Sequence, residues 1–112
     1  MVFGDWWWWF AFWLLPLLTW FQVVVRLRNI AEHAGTEFSS SKLQNVRTTS
    51  VNFLTQLFVA PYWVNYHLEH HLMMYVPCWR LSKMHKILVS KGYAPKLKLT
   101  KGYLAALREV VV

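Results

Sequence analysis

Five histidines are present, His33, His67, His70, His71 and His85, and three of them fall in the string His67-Leu68-Glu69-His70-His71. On a helix, at about 100° per residue, His70 lies at about 300° and His71 at about 40° from His67, so the three share an arc of about 100°. Glu69, at about 200°, points the opposite way. Imidazoles crowded on one face repel one another when charged, whereas neutral imidazoles are borderline ligands suited to iron or zinc. A packed helix gains nothing from three histidines on one stripe, so the string reads as metal-ligating. A comparable spacing recurs upstream, where Asn29 and His33 stand one helical turn apart on one face. His85 stands alone in the sequence and reads as a surface or core residue, outside the site.

Other chemistries fail on spacing. A zincin needs His-Glu-x-x-His, and here Glu69 follows His67 by two positions instead of one. A soluble di-iron carboxylate bundle needs Glu-x-x-His pairs, yet Gly35 stands three residues after Glu32 and Leu72 three after Glu69. An all-histidine site is therefore preferred over a carboxylate-bridged one. The single cysteine, Cys78, excludes a disulfide framework and a cysteine-based zinc site. The sequence contains no phosphate loop, nucleophile elbow or nucleic-acid motif.

The elements that must position these side chains are bounded by length and charge. A chain of 112 residues allows one small domain, and 56% hydrophobic with 18% aromatic residues excludes a disordered tail. A net charge of +7 and a pI near 9.9 would raise nucleic acid as a partner, but all twelve Lys and Arg residues lie after Val25. Before it stands a single charge, Asp5. The two halves differ in kind, which points to a membrane and away from nucleic acid.

From Trp6 to Val25 only Pro16, Thr19 and Gln22 interrupt an apolar run. At about 1.5 Å per residue these residues make a helix about 30 Å long, the thickness of a bilayer's hydrocarbon core. A secretory signal would carry positive charge ahead of the apolar core and small residues at a cleavage site; MVFGD and VVVRLR supply neither. Trp6 to Trp9 fit an interfacial aromatic belt, and Arg26 and Arg28 mark the other interface, which places the C-terminal portion in the cytoplasm. Pro16 is tolerated in such a helix.

No breaker occurs between Leu27 and Ala34, so one helix is expected from about Trp6 to Ala34, ended by Gly35. It carries His33 about 12 Å beyond the membrane boundary. Residues 36–41 read as a polar loop. Val51 to Val64 is too short and polar for a second span and reads as a surface-lying or packed helix. Pro61 suits the first position of a helix running through Tyr75, since Pro77 biases Val76 away from helical geometry. Ser82 is a candidate cap for a helix ending before Gly92, and Thr100 to Val112 reads as a terminal helix. Phe58, Tyr62, Trp63 and Tyr66 read as packing residues, and Met73 and Met74 as lipid-facing or core filler. Lys83, Lys86, Lys91, Lys96, Lys98 and Lys101 read as a solvated face or one drawn to anionic headgroups. The expected fold is all-α: one transmembrane helix extending into the cytosol, then several short cytoplasmic or interfacial helices, as part of a larger domain. Its divisions are a span at about 6–25, a histidine region at 26–93 and a basic tail at 94–112.

Three segments together resemble the C-terminal part of the integral-membrane fatty acid desaturases. They are Asn29-Ile30-Ala31-Glu32-His33, Asn65-Tyr66-His67-Leu68-Glu69-His70-His71-Leu72, and Val76-Pro77-Cys78-Trp79-Arg80-Leu81 followed by His85. The resemblance covers roughly residues 6 to 93. It implies a non-haem di-iron centre under the membrane, with His67, His70 and His71 as the third histidine box and His33 as an additional iron ligand. Asn29 would stand beside it, contacting the metal through water or supporting a ligand. The implied activity is O2-dependent introduction of a carbon–carbon double bond into an acyl chain. Membrane lipid, the acyl substrate and an electron donor, a ferredoxin or cytochrome-type carrier, are the implied partners.

The family's first two histidine boxes are absent from these residues. Four His and one Asn cannot satisfy two metal ions, so the expectation is a fragment, a truncated product or half of a split protein, inactive alone. Two other readings stay open: a related membrane hydroxylase or carotenoid ketolase, and a non-catalytic single-pass anchor.

Overall fold

The computed structural model describes residues 4–36 and 43–111. Helix α1 spans Trp7–His33 and is long and apolar enough to cross a membrane, with none of its apolar window buried against the rest of the chain. The helix runs close to its expected bounds. Pro16 lacks an N–H and would collide with the carbonyl one turn back, and the turn before it widens to π geometry over Phe10–Leu14. Thr19 leaves helical geometry (φ −111°, ψ −91°), and its hydroxyl donates to the Leu15 carbonyl at 2.6 Å. The helix ends where Gly35 takes φ +66°, the left-handed conformation that favours glycine. Most of the expected polar loop, residues 37–41, lies outside the described residues.

The chain returns through strand β1 (Thr48–Ser50) and helix α2 (Phe53–Phe58), whose first turn is capped by the Asn52 side chain accepting from Thr55 N–H at 2.8 Å. Helix α3 (His67–Leu72) follows, then α4 (Leu81–Ser90), strand β2 (Leu99–Lys101) and α5 (Tyr103–Val111). The chain is mostly helical, as expected, with one short addition. β1 and β2 pair in parallel with Thr48 opposite Leu99, Thr49 opposite Thr100 and Ser50 opposite Lys101. Thr100 is thus in a strand, and the terminal helix begins at Tyr103 after Gly102 (φ +83°) breaks the run.

The expected helix from Pro61 through Tyr75 does not form as one piece. Pro61 opens a single 3-10 turn, Pro61–Trp63, and Tyr62 and Trp63 both take positive φ (56° and 57°), which no right-handed helix accommodates. This break sets the direction of α3 independently of the preceding turn. Phe58 and Tyr62 are largely exposed, not packed as expected, and Tyr62 lines a groove of about 580 Å3. Met73 and Met74 are exposed too. Helix α4 ends before Gly92 as expected, but it starts at Leu81, so Ser82 is inside it instead of capping it.

Two small cores hold the elements. Ala31 of α1 packs on Ala106 and Tyr103 of α5 and on Ala60; the alanines allow close approach of the two helices. Val46, Leu68 and Leu97 form the second core beneath α3. Between them lies Arg47, fully buried, which donates to the carbonyls of Ala34 (2.6 Å) and Ala106 (3.4 Å) and to Glu109 Oε2 (3.0 Å). The C-terminal end of α1 is thereby tied to the last helix.

Candidate metal centre

His33 is presented by the last turn of α1, and His67 and His71 by one face of α3. α3 is fixed at its start by Asn65, which is buried. Its carbonyl accepts from Thr49 N–H at 2.9 Å and its amide donates to the Thr49 carbonyl at 3.1 Å. The back of the helix is fixed by Glu69, fully buried, which accepts a short hydrogen bond from the Thr48 hydroxyl and lies 2.6 Å from His85 Nδ1. The carboxylate therefore points away from the histidine face, as the helical phase requires. His85 serves that carboxylate, outside the cluster.

Three rings converge. His67 Nε2 lies 2.9 Å from His33 Nε2 and 3.1 Å from His71 Nε2, and one ligand nitrogen from each of the three falls within 4.8 Å of the others. A single cation about 2.0–2.1 Å from each of three imidazole nitrogens requires nitrogens roughly 3.0–3.4 Å apart. The two separations through His67 lie at or near this span, and three neutral imidazoles suit a borderline cation such as iron; the rings meet edge to face around the shared space. Burial, then the proximity of His71, His33 and His70, pushes His67 down to about 3, and His71 is lowered by burial, then by His33 and His70. Both are neutral at physiological pH, the state a metal ligand needs.

His70 stands apart. Its ring centroid is 6.1 Å from that of His67 and 5.8 Å from that of His71, and the side chain is exposed. With His67 it lines a mostly apolar cavity of about 210 Å3, together with Tyr62, Val64, Met74 and Leu81. Asn29, one turn before His33, is exposed on α1.

Sequence reasoning passed over Glu32, which is 1% exposed beneath the cluster. Its Oε1 accepts from the Tyr103 hydroxyl at 2.9 Å and Arg28 Nε at 3.3 Å, while Oε2 lies 3.6 Å from His67 Nδ1. Arg28 and Glu32 are one turn apart on α1, a pairing visible in the sequence. No local signal connects Tyr103, 71 residues away, to either. Burial and the neighbouring Glu32 carboxylate raise the Tyr103 phenol, which stays protonated and able to donate.

Residues 1–102 match the fatty acid desaturase family. The chain is similar to a dihydrorhizobitoxine desaturase of Bradyrhizobium elkanii, 39% identical over 85 residues, covering 74% of this chain and 24% of that protein. It is also similar to a beta-carotene ketolase of Paracoccus sp. (strain PC1), 30% identical over 87 residues, covering 77% of this chain and 36% of the ketolase. The chain spans between 24% and 36% of the length of these relatives. No solved structure matches.

Proposed function

Because the chain belongs to the fatty acid desaturase family, we propose that it supplies the third-box half of a membrane-bound, non-haem di-iron acyl desaturase. The convergence of His33, His67 and His71 nitrogens carries this reading. In it, these three would hold one iron on the cytoplasmic side of the membrane, and His70, turned aside, would be available to the second. Asn29, one turn before His33 on α1, would support a ligand or a metal-bound water there. Iron bound here supplies O2 activation for removing hydrogen from an unactivated acyl carbon.

The chain's own residues do three things in this scheme. α1 anchors the site beneath the bilayer, with its basic exit at Arg26 and Arg28 keeping the C-terminal portion cytoplasmic. The depressed basicity of His67 and His71 keeps each ring neutral, so that one of its two nitrogens offers a lone pair. The mostly apolar cavity beside His67 and His70 offers a surface along which a hydrocarbon segment would lie. Electrons for such a centre would come from a separate carrier, a ferredoxin or cytochrome-type donor. Two ions need more ligands than four histidines and an asparagine provide, so the remaining ligands come from outside these 112 residues.

A second reading, oxygenation to a hydroxylated or keto product, is favoured by the similarity to the ketolase. A purely structural anchor leaves the inward-facing ring nitrogens without a purpose. Lipid analysis of cells expressing the 112 residues tests the proposal: no new double bonds are expected from the chain alone, and unsaturation when a polypeptide with two further histidine boxes is co-expressed. New double bonds from the chain alone contradict the shared-ligand scheme. Hydroxylated or keto products from the assembled pair contradict desaturation.

A further inference from the structure

The carboxylate of Glu32 is almost completely withdrawn from water, yet its two oxygens are treated unequally. Oε1 receives the Tyr103 hydroxyl and the Arg28 guanidinium, whereas Oε2 is buried with no hydrogen-bond partner. A buried carboxylate oxygen without a donor costs about 1–3 kcal/mol or more, so such an atom in a folded protein calls for a reason. The His67 ring lies beside it, with Nδ1 3.6 Å from Oε2. Moving the pair together by about 0.5 Å makes a hydrogen bond.

The other ring nitrogen of His67 is the one that faces His33 and His71. A neutral imidazole carries one proton, and its position decides whether Nε2 offers a lone pair or an N–H to that cluster. With the proton on Nε2, Nδ1 would aim a lone pair at a carboxylate. With the proton on Nδ1, the carboxylate is satisfied and Nε2 is free to ligate. We propose that Glu32, steadied by Tyr103 of α5, is the positioning residue for His67, accepting its Nδ1–H so that the Nε2 lone pair is aimed at the metal.

This rests on the reading of His67 as a metal ligand. It gives the C-terminal helix, which bears no histidine, a part in the site: α5 packs on Ala31 through Ala106, and the Tyr103 hydroxyl crosses that contact to fix the carboxylate. Partners of this kind typically change metal affinity by about 10–100-fold.

The test uses the full chain in detergent micelles, labelled with 15N at histidine, with Co(II) alone as the probe. In the metal-free wild type, His67, assigned from the signal missing in His67→Gln, is expected to carry its proton on Nδ1. Glu32→Gln is expected to mix the two tautomers and weaken Co(II) binding about 10-fold, with unchanged helical content. Tyr103→Phe, which removes one hydroxyl and no charge, is expected to fall between the two and decides the matter if Glu32→Gln does not fold. A proton on Nε2 of His67 in the wild type overturns the proposal. So does Co(II) affinity unchanged in both variants while His33→Ala and His71→Ala abolish binding, a result that spares the metal site itself. Affinity unaffected by His33→Ala and His71→Ala removes the metal site and this role together.

Discussion

Replacing Arg47 by Met should loosen the joint between the membrane helix and the C-terminal helix. The guanidinium is fully buried and donates to two main-chain carbonyls, of Ala34 and Ala106, and to Glu109. Glu109 is 43% exposed and regains water when its partner is lost, so the ion pair itself contributes little. The carbonyls are the larger part: a hydrogen bond from a charged donor is worth about 1.5–3 kcal/mol, and the longer contact to Ala106 belongs at the low end. Methionine restores some apolar burial, leaving a net loss of about 3 kcal/mol. At about 4–8 °C per kcal/mol for a unit of this size, the melting temperature in micelles should fall by more than about 10 °C. Circular dichroism at a helix-sensitive wavelength reads this. Arg47→Lys should fall between, because an ammonium cannot span three acceptors as a fork does. A fall of less than about 3 °C for Arg47→Met would show that Arg47 does not join the two ends of the fold.

Three further outcomes follow from the geometry. His67 is held near 3 when folded against 6.5 in the unfolded chain, so the unfolded state takes up its proton first. The metal-free chain should therefore keep its full stability above pH 6.5 and lose up to about 1.4 kcal/mol per pH unit from this group as pH falls towards 3, with His71 adding in the same direction; denaturant midpoints at pH 7.5 and 5.0 measure it, and a higher midpoint at pH 5.0 contradicts it. Gly35→Ala should destabilise by about 1–2 kcal/mol in thermal melts, because Gly35 sits at φ +66° and an added methyl would meet Arg47 Nη2 at 3.3 Å. His85→Leu should cost about 1–3 kcal/mol through the buried Glu69 carboxylate it leaves half-satisfied, while the metal stoichiometry stays at that of the wild type.

The parts of the molecule written in local pattern were legible before the structure. The apolar run with charges only beyond Val25 gives the long helix, and Gly35 ends it. The three-and-four spacing of the histidines puts His67 and His71 on one face and sends Glu69 to the other. The parts that depend on partners distant in sequence were not. Nothing near Thr48 or Leu99 signals that two three-residue segments pair in parallel. The left-handed turn at Tyr62 and Trp63 runs against the preferences of both residues, and it splits a segment whose composition reads as one helix. Arg47, Asn65 and Tyr103 look like ordinary surface-type residues, and only packing turns them into the supports of the site. The same holds for His70: helical phase alone groups it with its neighbours, whereas the rings of His67 and His71 turn towards His33 and His70 does not.

X-ray absorption on the chain loaded with one equivalent of Fe(II) examines the nitrogen cluster at the level of individual bonds. Three imidazole scatterers in the shell around the iron are expected, falling to two in His33→Ala. A shell of oxygen atoms with no imidazole signature, or a spectrum indifferent to His33→Ala, would mean that the inward-facing rings hold no metal.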